Sequence, residues 1–331
     1  MDIFYFIIQH SIFFMIPLVI VALGGLFSEK SGVVNIALEG KMIMGAFTGV
    51  LFITTVQRGV TEDSGFIVNM LHGRPGYVLL LCGLLIAMLT GIGVSLFHAY
   101  ASIHLKANQI ISGVAINMFA PAFAVYTARR VVGSQNVHFA NQFRIESVPG
   151  LGRIPFIGPM FFQNTYITTF IGLSILLLSA FVLYKTKFGL RLRACGEHPQ
   201  AADSVGVSVV KMRYAGVIIS GALAGIGGLV YIVPISIIFD GSVSGFGFLA
   251  LAVLIFGAWK PQRILLAAFF FGFMQAIAAS YTVIGFLNNL NIPVHFYRMS
   301  PYVATLIVLA FTSKNTMAPK AAGQAYDKGG R

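Results

Sequence analysis

Charge is what this sequence has least of. Asp, Glu, Lys and Arg make up only 10% of its 331 residues, against about 25% in soluble domains. Together with 57% hydrophobic residues and a mean hydropathy of +0.85, this excludes a soluble globular domain and gives a polytopic membrane protein. Cysteine is nearly missing too. Cys82 lies in an apolar run and Cys195 in a polar loop, so no disulfide is expected, and no Cys/His spacing suits a metal site. No Lys or Arg precedes the first apolar run in MDIFYFIIQH. A basic leader region is therefore lacking, and the first segment is expected to be retained. Nucleophiles with a matched base are absent. The stretch LEGKM (38–42) departs from a phosphate-binding loop twice. Asn35 stands where a glycine is required five residues before Gly40, and Met42 stands where Ser or Thr would bind magnesium. No ATPase or other enzyme is expected on this chain.

Glycine and phenylalanine are abundant, at 36 and 30 residues, as suits helices packed in lipid, where small residues allow close approach. The net charge of +12 would suit nucleic acid. The positive residues lie in loops, however, where membrane topology puts them, and no basic face alternates with exposed aromatics. Nucleic acid is excluded as a partner.

A span needs about 20 apolar residues, fewer where the helix is broken. Such stretches lie at 6–27, 35–56, 77–98, 108–127, 164–184, 214–234, 246–258, 263–285 and 300–313. The expected fold class is all-α: one transmembrane domain over 1–313, a bundle of about nine helices with eight to ten allowed. Placing the loop 185–213 inside puts fourteen Lys and Arg on its side and seven on the other. By the positive-inside rule that loop is cytoplasmic, the loop 128–163 is external and the C-terminus is cytoplasmic. The tail 314–331 is polar, Gly/Ala-rich and expected to be disordered. The loop 128–163, with VPGLGRIPFIGPMF, is expected to hold turns and a short strand or helix. Two segments are atypical. FGFLALAVLIFGA is short for a crossing, and NIALEGKMIMGAF carries Asn35, Glu39 and Lys41 within an apolar run. Broken segments of this kind line pathways, because unwound backbone needs protein or water around it. Ser31-Gly32 and Ala37-Leu38 echo Ser244-Gly245 and Ala250-Leu251 at the same spacing. That fits two related halves, and equally chance likeness between Gly/Ala/Leu-rich helices.

The densest charge lies in KTKFGLRLRACGEHPQAADSVGVSVVKMRYAG (185–216). Pro199 suits the first position of a helix over PQAADSV, and Gly206 suits its stop. So short a helix does not persist alone, so the bundle or a partner must hold it. Alternation in FGLRLRA puts Arg191 and Arg193 on one side, where they could pair with a partner's acids. In the spans, Glu39 has two readings. It pairs with Lys30 or Lys41 at the cytoplasmic interface, or it lines an inner gate with Asn35. Asn117 and Gln275 are either substrate contacts or helix–helix glue.

GLRLRACGEHPQAADSVGVSVVKMRYAGVIISGALAGIGG (189–228), EKSGVVNIALEGKMIMGAF (29–47) and GFGFLALAVLIFGAWKP (245–261) stand in an order that resembles the ABC importer permeases of the branched-chain amino acid/ribose/nucleoside group, above all their nucleoside and simple-sugar branch. The resemblance implies a coupling helix that sits in a cleft of a separate ATP-binding subunit. Gly196, Glu197, Pro199, Ala201 and Ala202 fall in it. It also implies a second, non-identical permease subunit, an extracytoplasmic binding protein, a bacterial cell membrane, and ATP with magnesium on the partner, with no cofactor on this chain. Nucleosides or simple sugars are the expected cargo, with ribose or branched-chain amino acids as the alternative. A transporter driven by protons or sodium is the competing class, but it should show embedded acids, and Glu39 is thin support for it. A scaffolding membrane protein is a third.

Overall fold

The structure, a computed structural model, describes residues 2–59, 70–71, 73–284, 293–312 and 318–327. Backbone in lipid must satisfy its own hydrogen bonds, which helices do without help. The chain forms α1 (Asp2–Lys30), α2 (Leu38–Gln57), α3 (Gly76–Ala99, continued by a π-turn at Tyr100–His104) and α4 (Gln109–Val132). After the loop 133–166 come α5 (Ile167–Lys185), α6 (Lys187–Glu197), α7 (Pro199–Ser204), α8 (Val209–Ile235), α9 (Phe246–Phe256), α10 (Pro261–Ser280) and α11 (Val294–Thr312). Each of the nine expected spans holds one helix. Seven described helices are long and apolar enough to cross a membrane, and α9 is too short. The end of the expected span 263–285 and residue 313 lie outside the described residues.

The bundle is built around α1, α2 and α8. In each, 72–78% of the most apolar window is buried, against 17% in α4 and 33% in α5. Glycine sets the closest crossings. A methyl group built on Gly225 of α8 would lie 2.2 Å from the Ala87 carbonyl oxygen of α3, so the backbones meet there without side chains between them. Strand pairs are confined to the loops. β2 (Arg144–Ser147) pairs antiparallel with β3 (Gln163–Tyr166), and β1 (Val137–His138) with β4 (Ile238–Phe239). The second pair ties the loop between α4 and α5 to the stretch that follows α8.

One expectation needs correcting. Within the tail expected to be disordered, residues 318–327 lie packed on the α6–α7 loop. Ala321 is buried there, and its N–H donates to the Gly196 carbonyl over 2.9 Å. The polar composition misled because the segment binds through its backbone, which composition does not report.

Candidate functional site

The α6–α7 loop is a rigid two-helix projection. Thr186 caps α6, its hydroxyl accepting from the Gly189 N–H. Pro199 opens α7, and Gly206, at φ +81°, follows its end, as the sequence indicated. Gly196 is required for docking, because a methyl group there would lie 2.4 Å from the Lys30 carbonyl oxygen at the end of α1. Of the residues implied in coupling, Gly196, Pro199 and Ala202 face inward, Glu197 is half-buried, and Ala201 and Arg191 are exposed. The Glu197 carboxylate is 3.9 Å from Lys30 Nζ. Arg191 and Arg193 do not share a side. Residues two apart in a helix lie about 200° apart around it, and alternation marks one side only in extended chain. Arg193 instead stacks its guanidinium on the Tyr184 ring, 5.1 Å from its centre. The most prominent apolar group on the projection is Val205, 78% exposed just past the end of α7. Its only signal in the sequence was its place beside the stop glycine. Cys195 is fully buried, and burial pushes its thiol above the usual range, with Asp203 adding to this and Arg213 opposing it.

Halfway across the bundle, the starts of α2 and α9 meet. The Glu39 carboxylate accepts from the Gly245 N–H at 2.9 Å and from the Gly247 N–H at 2.6 Å. It pairs with neither Lys30 nor Lys41. A carboxylate here satisfies orphan donors at the first turn of α9 and opposes the positive end of the helix dipole. Residues 33–37, just before α2, are not helical, and amide side chains hold their backbone. Asn117 donates to the Ile36 carbonyl and accepts from the Gly40 N–H, and Gln109 accepts from the Val34 N–H. Asn35 accepts from Lys41 Nζ at 2.9 Å and donates to Ser220 Oγ at 2.7 Å. Lys41 is fully buried, and His98 is buried beside it, bonded to the Val34 carbonyl and the Ser112 hydroxyl. The sequence reading missed this Lys41–Asn35–Ser220 chain, because Ser220, which anchors Asn35, lies 185 residues further along.

Gln275 stands apart from these residues. It lines a cavity of about 500 Å3 in the half of the bundle away from the α6–α7 loop, with Phe14, Tyr231, Ser244, Phe246 and Tyr302. Tyr231 and Phe246 pack at a tilt of 37° with ring centres 4.1 Å apart, and the Tyr302 hydroxyl donates to the Ser244 carbonyl. The first turn of α9 carries Phe246 into this space, so Glu39 orients a cavity wall without lining it. Of the four residues singled out for the pathway, the structure brings Glu39 and Gln275 to this region, and it puts Asn35 and Asn117 at the break before α2.

Residues 7–311 match the family described as branched-chain amino acid transport system / permease component. The chain is 43% identical to the guanosine ABC transporter permease protein NupQ of Bacillus subtilis (strain 168) over 330 residues, covering 98% of this chain and 97% of that one. It is 38% identical to the nucleoside ABC transporter permease protein NupC of Lactococcus lactis subsp. cremoris (strain MG1363), covering 97% and 96%. A second permease of that strain, the nucleoside ABC transporter permease protein NupB, is 22% identical over 80% of this chain and 70% of its own length. No solved structure matches the chain.

Proposed function

The chain belongs to the branched-chain amino acid transport system permease family, and on that premise we propose that its cargo is an uncharged nucleoside. It is a multi-pass permease subunit of an ABC importer, and ATP hydrolysis resides on a separate subunit. The family works with an ATPase, a substrate-binding protein and a second permease. Our reading makes that second permease a non-identical paralogue, puts ATP and magnesium on the ATPase, and gives the α6–α7 projection the docking role. It also places the C-terminus in the cytoplasm. Lys and Arg are in excess on the loop side, and residues 318–327 lie against that same loop.

The aromatic cavity carries the cargo reading. Tyr231, Phe246 and Tyr302 give the cavity an aromatic lining, with Tyr302 the exposed ring among the three, and stacking of a nucleobase on an aromatic side chain contributes about 1–3 kcal/mol per base. Gln275 supplies both a donor and an acceptor for a base or ribose edge. A bare helix N-terminus is an anion site, but in α9 the Glu39 carboxylate already occupies that place. The cavity therefore favours neutral solutes and disfavours phosphorylated ones. The relatives named for nucleosides support the same cargo.

Reconstitution with the ATPase, the second permease and the binding protein tests this. ATP-dependent uptake of labelled guanosine, with guanosine monophosphate excluded, is expected. Tyr231→Ala and Gln275→Leu should lower guanosine uptake without lowering basal ATP hydrolysis. Uptake that ignores ATP and follows a proton or sodium gradient would instead establish an ion-coupled transporter.

A further inference from the structure

We infer that residues 318–327 form a brace that fixes the α6–α7 projection to α1 and α8, so that a push on the projection moves the bundle core. The segment crosses three elements. Its Ala321 N–H bonds the Gly196 carbonyl at the end of α6, and its Gly323 N–H bonds the Gly32 carbonyl just past α1, over 3.3 Å. The Gln324 carbonyl accepts from Arg213 Nη1 of α8 at 2.9 Å. Tyr326 lies over the Arg213 guanidinium, 5.8 Å from its ring centre, and packs on the small cluster of Cys195, Ala202 and Val209. Asp327 reaches Lys106, beyond α3, at 3.2 Å.

Arg213 makes the arrangement more than a surface contact. Its side chain is among the largest fully buried ones in the protein, and it is covered by this segment. Among the described residues, its Nε and Nη2 have no hydrogen-bond partner. A buried guanidinium that is incompletely bonded is costly, so the Gln324 carbonyl and the Tyr326 ring are its main compensation. Lifting the segment would hydrate Arg213 and free the projection at the same moment. Without the brace, α7 is held to α8 by residues 205–208, which include Gly206 at φ +81°, and by the small cluster of Cys195, Ala202 and Val209, which would lose the cover of Tyr326. The projection would then tilt more readily against α8 rather than carry it along. Residues 318–327 thus position the coupling element and do not themselves touch cargo or nucleotide. This role rests on the chain being an ABC permease, not on its cargo being a nucleoside.

The test uses the complete reconstituted transporter and three variants: Tyr326→Ala, Tyr326→Phe, and replacement of 318–327 by a Gly/Ser segment of equal length. ATP hydrolysed per guanosine taken up should rise about fivefold or more in Tyr326→Ala and in the replacement. Tyr326→Phe keeps the ring over Arg213 and should restore the wild-type ratio. In parallel, amide hydrogen exchange over 194–207 should quicken in the first two variants and not in the third. Exchange does not depend on the cargo. A wild-type transporter that ignores guanosine would therefore overturn the nucleoside reading, while exchange would still judge the brace. Unchanged exchange in the replacement variant overturns the brace. So does a ratio within about twofold of wild type, even if both rates fall together.

Discussion

Glu39 shows how little an acid in a span says about itself until its partners are known. Its position in an apolar run suggested an ion pair or a gate. Its partners are two backbone N–H groups from a segment more than 200 residues away. Glu39→Ala would leave both without an acceptor, at about 1–3 kcal/mol each. Glu39→Gln keeps an acceptor for one of them and should lose roughly half as much. Thermal unfolding in detergent would rank the three proteins, and equal midpoints would refute the capping role. Lys41 makes the complementary point. Asn35 is its hydrogen-bond acceptor. Removing the acceptor of a buried amine leaves that amine unsatisfied, which costs more than replacing the amine itself by an apolar side chain of similar size. Asn35→Ala should therefore destabilise the protein more than Lys41→Met does, by the same unfolding measurement. Cys195, which the sequence put in an accessible loop, is sealed. Its thiol is both hidden and shifted upward, so at pH 7–8 it holds less thiolate than an ordinary cysteine.

At the scale of elements, the α6–α7 projection is fastened by its inward residues, and the proposed docking surface lies on its outward ones. Gly196, Pro199 and Ala202 set its seat, Ala201 and Val205 are exposed, and Glu197 is half-buried beside Lys30. Glu197→Arg and Val205→Asp should each weaken co-purification of the ATPase and lower ATP-driven uptake, with membrane insertion unchanged. Transport at the wild-type rate in both would count against this docking surface. α8 contributes in a different way. Its glycines let it touch α2 and α3 backbone to backbone, and a side chain at Gly225 would meet a carbonyl that cannot yield. Gly225→Val should cost about 3 kcal/mol or more, seen as loss of folded protein on size-exclusion chromatography.

For the whole molecule, the projection and residues 318–327 share one face, and the aromatic cavity lies in the opposite half. On the proposed reading, alternating access has its drive at one end and its cargo site at the other, with α1 and α8 running between. Orientation is open to direct measurement. Ala201→Cys, on the exposed side of α7, should react with a membrane-impermeant maleimide in inside-out vesicles and not in intact cells. Native Cys195 should stay unlabelled in both until the protein is denatured. Labelling of Ala201→Cys from outside intact cells would reverse the topology and remove the docking role.

The order of the apolar helices, the short α9, the break before α2, and Pro199 and Gly206 bounding α7 were all legible in the sequence. Each follows from local chemistry: apolar length, proline and glycine backbone preferences, and the cost of charge in lipid. Helix geometry alone set Arg191 and Arg193 apart. Tertiary structure alone decided which donors Glu39 caps, that Ser220 anchors the Asn35 paired with Lys41, where His98 finds its backbone partner, and that residues 318–327 are held down. Those outcomes depend on contacts between segments far apart in the chain, often through backbone atoms that every residue shares, and so no pattern of side chains along the sequence encodes them.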